Sequence, residues 1–92
     1  MITAVVMIQA EPSRIPEVAA EVAELRRVRE VYSVTGDVDL IAMVGVKNHE
    51  ELADVIADQI SKVEGVLETR TYIAFRSYSR HDLEQAFDLG LD

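Results

Sequence analysis

Cysteine is absent from the 92 residues, which removes disulfides, thiolate metal sites and cysteine nucleophiles together. Stability has to come from packing or association. Basic residues are scarce: nine Lys and Arg stand against seventeen Asp and Glu, a net charge of −8. Such a field repels phosphate backbones and argues against direct DNA binding. Long apolar runs are missing as well. The chain is 49 % hydrophobic, yet its longest runs, Ala4 to Ile8 and Leu40 to Val46, fall far short of the ~18 residues a membrane span needs. No basic stretch followed by an apolar run opens the sequence, so the expectation is a soluble, cytoplasmic protein that does not enter a membrane. The two histidines, His49 and His81, each sit beside a candidate helix cap with no second ligand at metal-binding spacing. Neither a metal nor another cofactor is expected.

What is present reads as one unit used twice. A chain this short buries only about 60–65 % of its unfolded surface and supports one core, so residues 1–92 are expected to form a single domain. Ile2 to Ile8 is a β-branched run of strand length, and Pro12-Ser13 supplies a stop and a helix N-cap. Ile15, Val18, Ala19, Val22 and Leu25 then recur at helical spacing, while Glu17, Glu21 and Glu24 lie mostly off that stripe. Val28, Val31, Tyr32 and Val34 carry a second strand into Gly36, and Asp39 to Val46 forms a third. Asn48 caps a second helix with the stripe Leu52, Val55, Ile56, Gln59, Ile60 and Val63, and Gly65 ends it. A last strand runs from Val66 to about Tyr78, and Asp82 starts a short helix carrying Leu83, Ala86 and Phe87. Shifting the chain by 35 residues lays Leu25, Val28 and Val31 on Ile60, Val63 and Val66. This pseudo-repeat predicts an α+β, ferredoxin-like βαββαβ sandwich: a four-stranded antiparallel sheet with two helices on one face, plus a short C-terminal helix.

Two helices cover one face of such a sheet, so the other face of a monomer should be polar. Here it is not. Ala4, Val6 and Ile8 oppose Val5 and Met7 on the first strand, and Leu40, Ala42 and Val44 oppose Ile41 and Met43 on the third. Apolar surface on both faces marks an association site and predicts at least a dimer with its sheets packed together. Arg26, Arg27 and Arg29 form a small basic cluster between helix and strand, which with Glu24 and Glu30 beside it suits a surface role better than phosphate binding. Arg70, Tyr72 and Arg76 share one alternation of the last strand, which suits interface ion pairs or an anion contact.

The richest segment is the turn Thr35-Gly36-Asp37-Val38-Asp39 between the second and third strands. Its glycine gives access to backbone amides and its two carboxylates can receive an ammonium, so the turn suits an amino acid. The same residues also serve simply to close a hairpin. Thr69 and Thr71 alternate onto one face of the last strand, as β-propensity alone would supply.

Val31-Tyr32-x-x-Thr35-Gly36-Asp37-x-Asp39-Leu40, followed by Gly65-Val66-x-x-Thr69-x-Thr71-Tyr72-Ile73, resembles the effector-binding (RAM) domain of the Lrp/AsnC transcriptional regulators over nearly the whole chain. That resemblance implies a dimer through facing sheets, rings of dimers such as a tetramer of dimers, and small effectors, usually amino acids, held where dimers meet. Full-length members add an N-terminal helix-turn-helix, whereas strand one here begins at residue 2, so a stand-alone module without a DNA-binding domain is expected. On matching positions the effector site is Gly36, Asp37, Val38 and Asp39 with Thr69 and Thr71. Val38 replaces what is commonly a tyrosine in the family, which removes a stacking or hydroxyl contact. The implied role is amino-acid sensing and oligomerisation, with full-length regulators as partners in mixed assemblies. Two alternatives stand beside it: an assembly module with a vestigial pocket, and a small barrel enzyme. No Ser-His-Asp set, metal cluster or glycine-rich phosphate loop supports the last.

Overall fold

A computed structural model describes residues 1–80. Four strands form one antiparallel sheet: β1 (Ile2–Ala10), β2 (Val28–Ser33), β3 (Leu40–Val46) and β4 (Val66–Ala74), in the spatial order β2-β3-β1-β4. Helix α1 (Ile15–Ala23) connects β1 to β2, and α2 (His49–Ala53) begins the connection from β3 to β4. This is the ferredoxin-like arrangement expected from the repeat. The short helix expected after Asp82 lies outside the described residues. No helix among the described residues is long and apolar enough to cross a membrane.

The alternation of strands one and three is realised as read. Ala4, Val6, Ile8 and Ala10 from β1 and Leu40, Ala42, Val44 and Val46 from β3 are buried under the helices, joined by Val18 and Val22 of α1. Ile15, Ala19 and Leu25 pack on the rim of that cluster. Burying each Val, Ile or Leu of this set contributes roughly 1.5–3 kcal/mol and each alanine less, which makes this face the main source of stability.

Three local expectations are corrected. Ser13 does not cap α1: Pro12–Arg14 forms a 3-10 turn, closed by the Arg14 amide donating to the Glu11 carbonyl at 2.8 Å, and α1 starts only at Ile15. The serine is inside a turn that backbone bonding had already formed. Strand β4 ends at Ala74 and not near Tyr78, because Ala74 pairs with Thr3 and β1 has almost no residues left to pair beyond it. The second helix is not uniform: α2 gives way to a π turn over Asp54–Gln59 and a 3-10 turn over Ile60–Lys62. A π turn repeats at about five residues. Val55 and Ile60, five apart, are both buried as a result, while Gln59, on the stripe by α-periodicity, is turned out to solvent.

Asn48 caps α2 as expected. Its Oδ1 accepts from the Glu51 amide at 2.8 Å, and Glu51 returns one carboxylate oxygen to the Lys47 amide, also at 2.8 Å. The other oxygen accepts from Arg27 Nη2 at 2.8 Å. The Lys47 hydrogen bond is the main cause that holds the Glu51 carboxyl below its ordinary value; desolvation opposes it, and the charge and hydrogen bond of Arg27, with the charge of Lys47, add to the lowering. One arginine of the Arg26-Arg27-Arg29 cluster is thus a tie between the β2 entry and α2.

Candidate functional site

Strand register fixes what the open face displays. Tyr32, Ile41, Met7 and Arg70 lie in one row across all four strands, and Glu30, Met43, Val5 and Tyr72 in the next. Val5, Met7, Ile41 and Met43 are half-buried, and Tyr32 and Tyr72 are exposed at the two flanks. The Tyr32 hydroxyl donates to the Glu30 carboxylate. That bond, then desolvation and the carboxylate's charge, raises the phenol above its usual range. The result is an apolar centre two rows deep, with charged and phenolic groups toward its edges.

The turn between β2 and β3 sits at the end of this sheet where β1 finishes. Its neck is closed by the Val34 amide donating to the Asp39 carbonyl at 3.1 Å, and the Asp39 amide donates to the Ile8 carbonyl at 3.0 Å. Gly36 has φ of +131°, a conformation that side-chain-bearing residues rarely adopt, and a Cβ built there would meet nothing within 4 Å. Glycine is required by the backbone, and the space beside it is open.

The two aspartates of the turn do different things. Asp39 Oδ2 accepts the Ala10 amide at 2.9 Å in a half-buried setting, so its carboxylate joins the end of β1 to the turn. Asp37 is almost fully exposed, with its Oδ2 3.5 Å from Arg70 Nη2 and its carbonyl accepting from Gln9 Nε2 at 3.0 Å. Val38 points inward and is 6 % exposed, so the valine at this position is part of the packing. Thr69 and Thr71 pair with Ile8 and Val6, which places them on the helix side of β4, Thr69 half-buried and Thr71 exposed. Asp37 instead engages Gln9 and Arg70, both on the open-face alternation. The structure therefore gathers Gly36, Asp37 and Asp39 at one turn and sets the two threonines on the other side of the edge strand.

Residues 3–83 match the family described as the Lrp/AsnC ligand binding domain. The chain belongs to this family. It is 38 % identical over 72 residues to an uncharacterized HTH-type transcriptional regulator of Pyrococcus furiosus, an alignment covering 78 % of this chain and 49 % of that protein. It thus spans about half the length of the curated relatives it matches. Among solved structures, TTHA0845 from Thermus thermophilus is 49 % identical, with a TM-score of 0.82, and the match covers 87 % of this chain and all of that one. The feast or famine regulatory protein from M. tuberculosis complexed with L-methionine is 27 % identical, with a TM-score of 0.74, over 87 % of this chain and 54 % of that one.

Within an Lrp/AsnC ligand binding domain of this sequence, the turn offers one exposed carboxylate at Asp37, one half-used carboxylate at Asp39 and an unobstructed glycine backbone. These can hold a cation or an ammonium by charge-assisted hydrogen bonds. Sequence reasoning missed Gln9 and Arg70 as the partners of Asp37. Arg70 was legible only as a member of the open-face alternation, and nothing in the sequence links Gln9 to a residue 28 positions away. Among the described residues no group of three or more His, Asp or Glu side chains is arranged to hold a metal ion.

Proposed function

We propose that this chain is a cytoplasmic sensing and assembly module of the Lrp/AsnC type, which associates through its open sheet face and responds to an amino acid bound beside the Gly36–Asp39 turn. The observation that carries the reading is the apolar centre formed by Val5, Met7, Ile41 and Met43 on the face that no helix among the described residues covers. A monomer that left this face in water would lose roughly 25 cal/mol for each Å² that a second copy would otherwise bury. Two such sheets stacked at about 10 Å supply the missing layer. Effector recognition draws support from the relative complexed with L-methionine and from the acceptor groups of the turn. Position 38 carries a buried valine, which offers a ligand no ring to stack on, and this favours a small or apolar amino acid over an aromatic one. In this reading the chain works without DNA-binding or enzymatic activity of its own and exerts its effect by assembling, in rings of dimers or with full-length regulators.

One observation favours a second reading, assembly without an effector: Asp39, Val38 and the carbonyl of Asp37 are already engaged inside the protein. Calorimetry with each common amino acid at millimolar concentration, paired with light scattering, separates the two. Heat from at least one amino acid, with a mass of twice 10.3 kDa or more, supports the sensing module. No heat with an intact oligomer leaves assembly alone, and a monomer removes both readings.

A further inference from the structure

At the end of the open face opposite the turn, a cavity of about 370 Å³ is lined by Met1, Thr3, Arg29, Ala74, Phe75, Arg76 and Ser77. Its size falls within the range of small-molecule sites. Two arginines and two hydroxyl-bearing residues line it, and no carboxylate does among the described residues. In a chain with seventeen acidic residues and a net charge of −8, that composition runs against the average of the surface. Arg14, Arg27 and Arg70 each have a carboxylate within 4.0 Å, whereas Arg29 and Arg76 have none among the described residues. Glu30, the neighbour of Arg29, accepts instead from Tyr32.

The position of Arg29 is built by the fold. The β2–β3 register slips between Val28 and Glu30, a bulge that leaves Arg29 as the extra residue and re-aims its side chain. The guanidinium then lies across Gly45 on β3, where a Cβ would be 2.9 Å from Arg29 Nε. Any larger residue at 45 would push it off the sheet. Its Nη2 donates to the Met1 sulfur at 2.8 Å, so the group is fixed from a second side. Gly45, Thr3 and Ala74 form one row of the sheet, beyond the rows of the apolar centre.

We propose that this cavity is a binding site for a phosphate monoester, with Arg29 and Arg76 on the phosphate and Thr3 and Ser77 donating hydroxyls. A monoester near neutral pH carries close to two negative charges, which two guanidiniums balance, whereas a carboxylate would leave one cation uncompensated. Phe75, 96 % exposed at the rim, offers a flat apolar surface to the organic part. The site is independent of the amino-acid reading and lies at the other end of the sheet.

The test uses calorimetry and phosphorus NMR on the intact chain with inorganic phosphate and with adenosine monophosphate, against sodium chloride at equal ionic strength. Arg76→Met is exposed and has no described ion pair, so it should keep the thermal midpoint of the wild type, while Arg29→Met and the double variant probe the fixed cation. Binding should appear for phosphate or the monophosphate and weaken by roughly tenfold or more in each single variant. Tighter binding of the monophosphate than of inorganic phosphate supports the part given to Phe75. No binding beyond the chloride control, or binding that survives in Arg76→Met with unchanged affinity, overturns the proposal. A midpoint lost in Arg29→Met leaves Arg76→Met as the deciding variant.

Discussion

Asp39 is where a structural role and a ligand role can be pulled apart by one atom. Replacing Asp39 with alanine removes the acceptor of the Ala10 amide, 2.9 Å away, and leaves that half-buried N–H without its partner at the point where β1 ends. A hydrogen bond to a charged group contributes about 1.5–3 kcal/mol. The site is only half-buried, so the lower end, about 1.5–2 kcal/mol, is expected. For a domain of this size that is a fall of about 6–16 °C in thermal midpoint. Asp39→Asn keeps a carbonyl oxygen in the same place and should recover most of the loss, while still removing the charge available to an ammonium. The assay is thermal unfolding of wild type and both variants at one protein concentration, because association makes the midpoint depend on concentration. Calorimetry with the best amino acid follows. An Asp39→Ala midpoint within 2–3 °C of wild type, at roughly 0.5 kcal/mol or less, would refute the clamp. An Asp39→Asn variant that binds as tightly as wild type would remove Asp39 from the effector site.

Met7→Glu, or Ile41→Lys, places a charge in the apolar centre of the open face and should convert the assembly to a chain-mass species of 10.3 kDa by light scattering, with far-ultraviolet dichroism retained. An unchanged oligomer would show that the sheet face is not the contact. Asn48→Ala should cost about 1 kcal/mol through loss of the α2 cap, read as a lower midpoint in urea. Glu51→Gln should destabilise the protein at neutral pH, and the difference should shrink as pH falls. The folded carboxyl is held below its unfolded value, so its contribution is complete above about pH 4.3 and disappears as pH drops through the lower folded value. A pH-independent gap between the two proteins would contradict that assignment. Gly36→Ala should lose about 1–2 kcal/mol from backbone strain alone, since no atom within 4 Å opposes the new methyl group; a neutral effect would mean the turn relaxes.

The order of strands and helices, the helix-side core and the two-faced character of β1 and β3 were all legible in the sequence. They follow from local periodicities of two and 3.6 residues, which a chain displays wherever it folds. The Asn48 cap was legible for the same reason, because its partner is three residues away. The rest was not legible: two departures are local backbone events that periodicity does not show, and the others only tertiary structure decided. Ser13 lost its cap to a backbone turn, and Gln59 left its stripe because a π turn changed the local period. Asp39 became a clamp on Ala10, Asp37 met Gln9 and Arg70, and Arg29 found Gly45, all across strand pairings that no local pattern specifies. The turn's residue types announced a polar site because few residues accept its backbone. Which of its carboxylates stays free for a ligand depends on which neighbour the sheet register delivers, and register is set by the burial of one whole face at once.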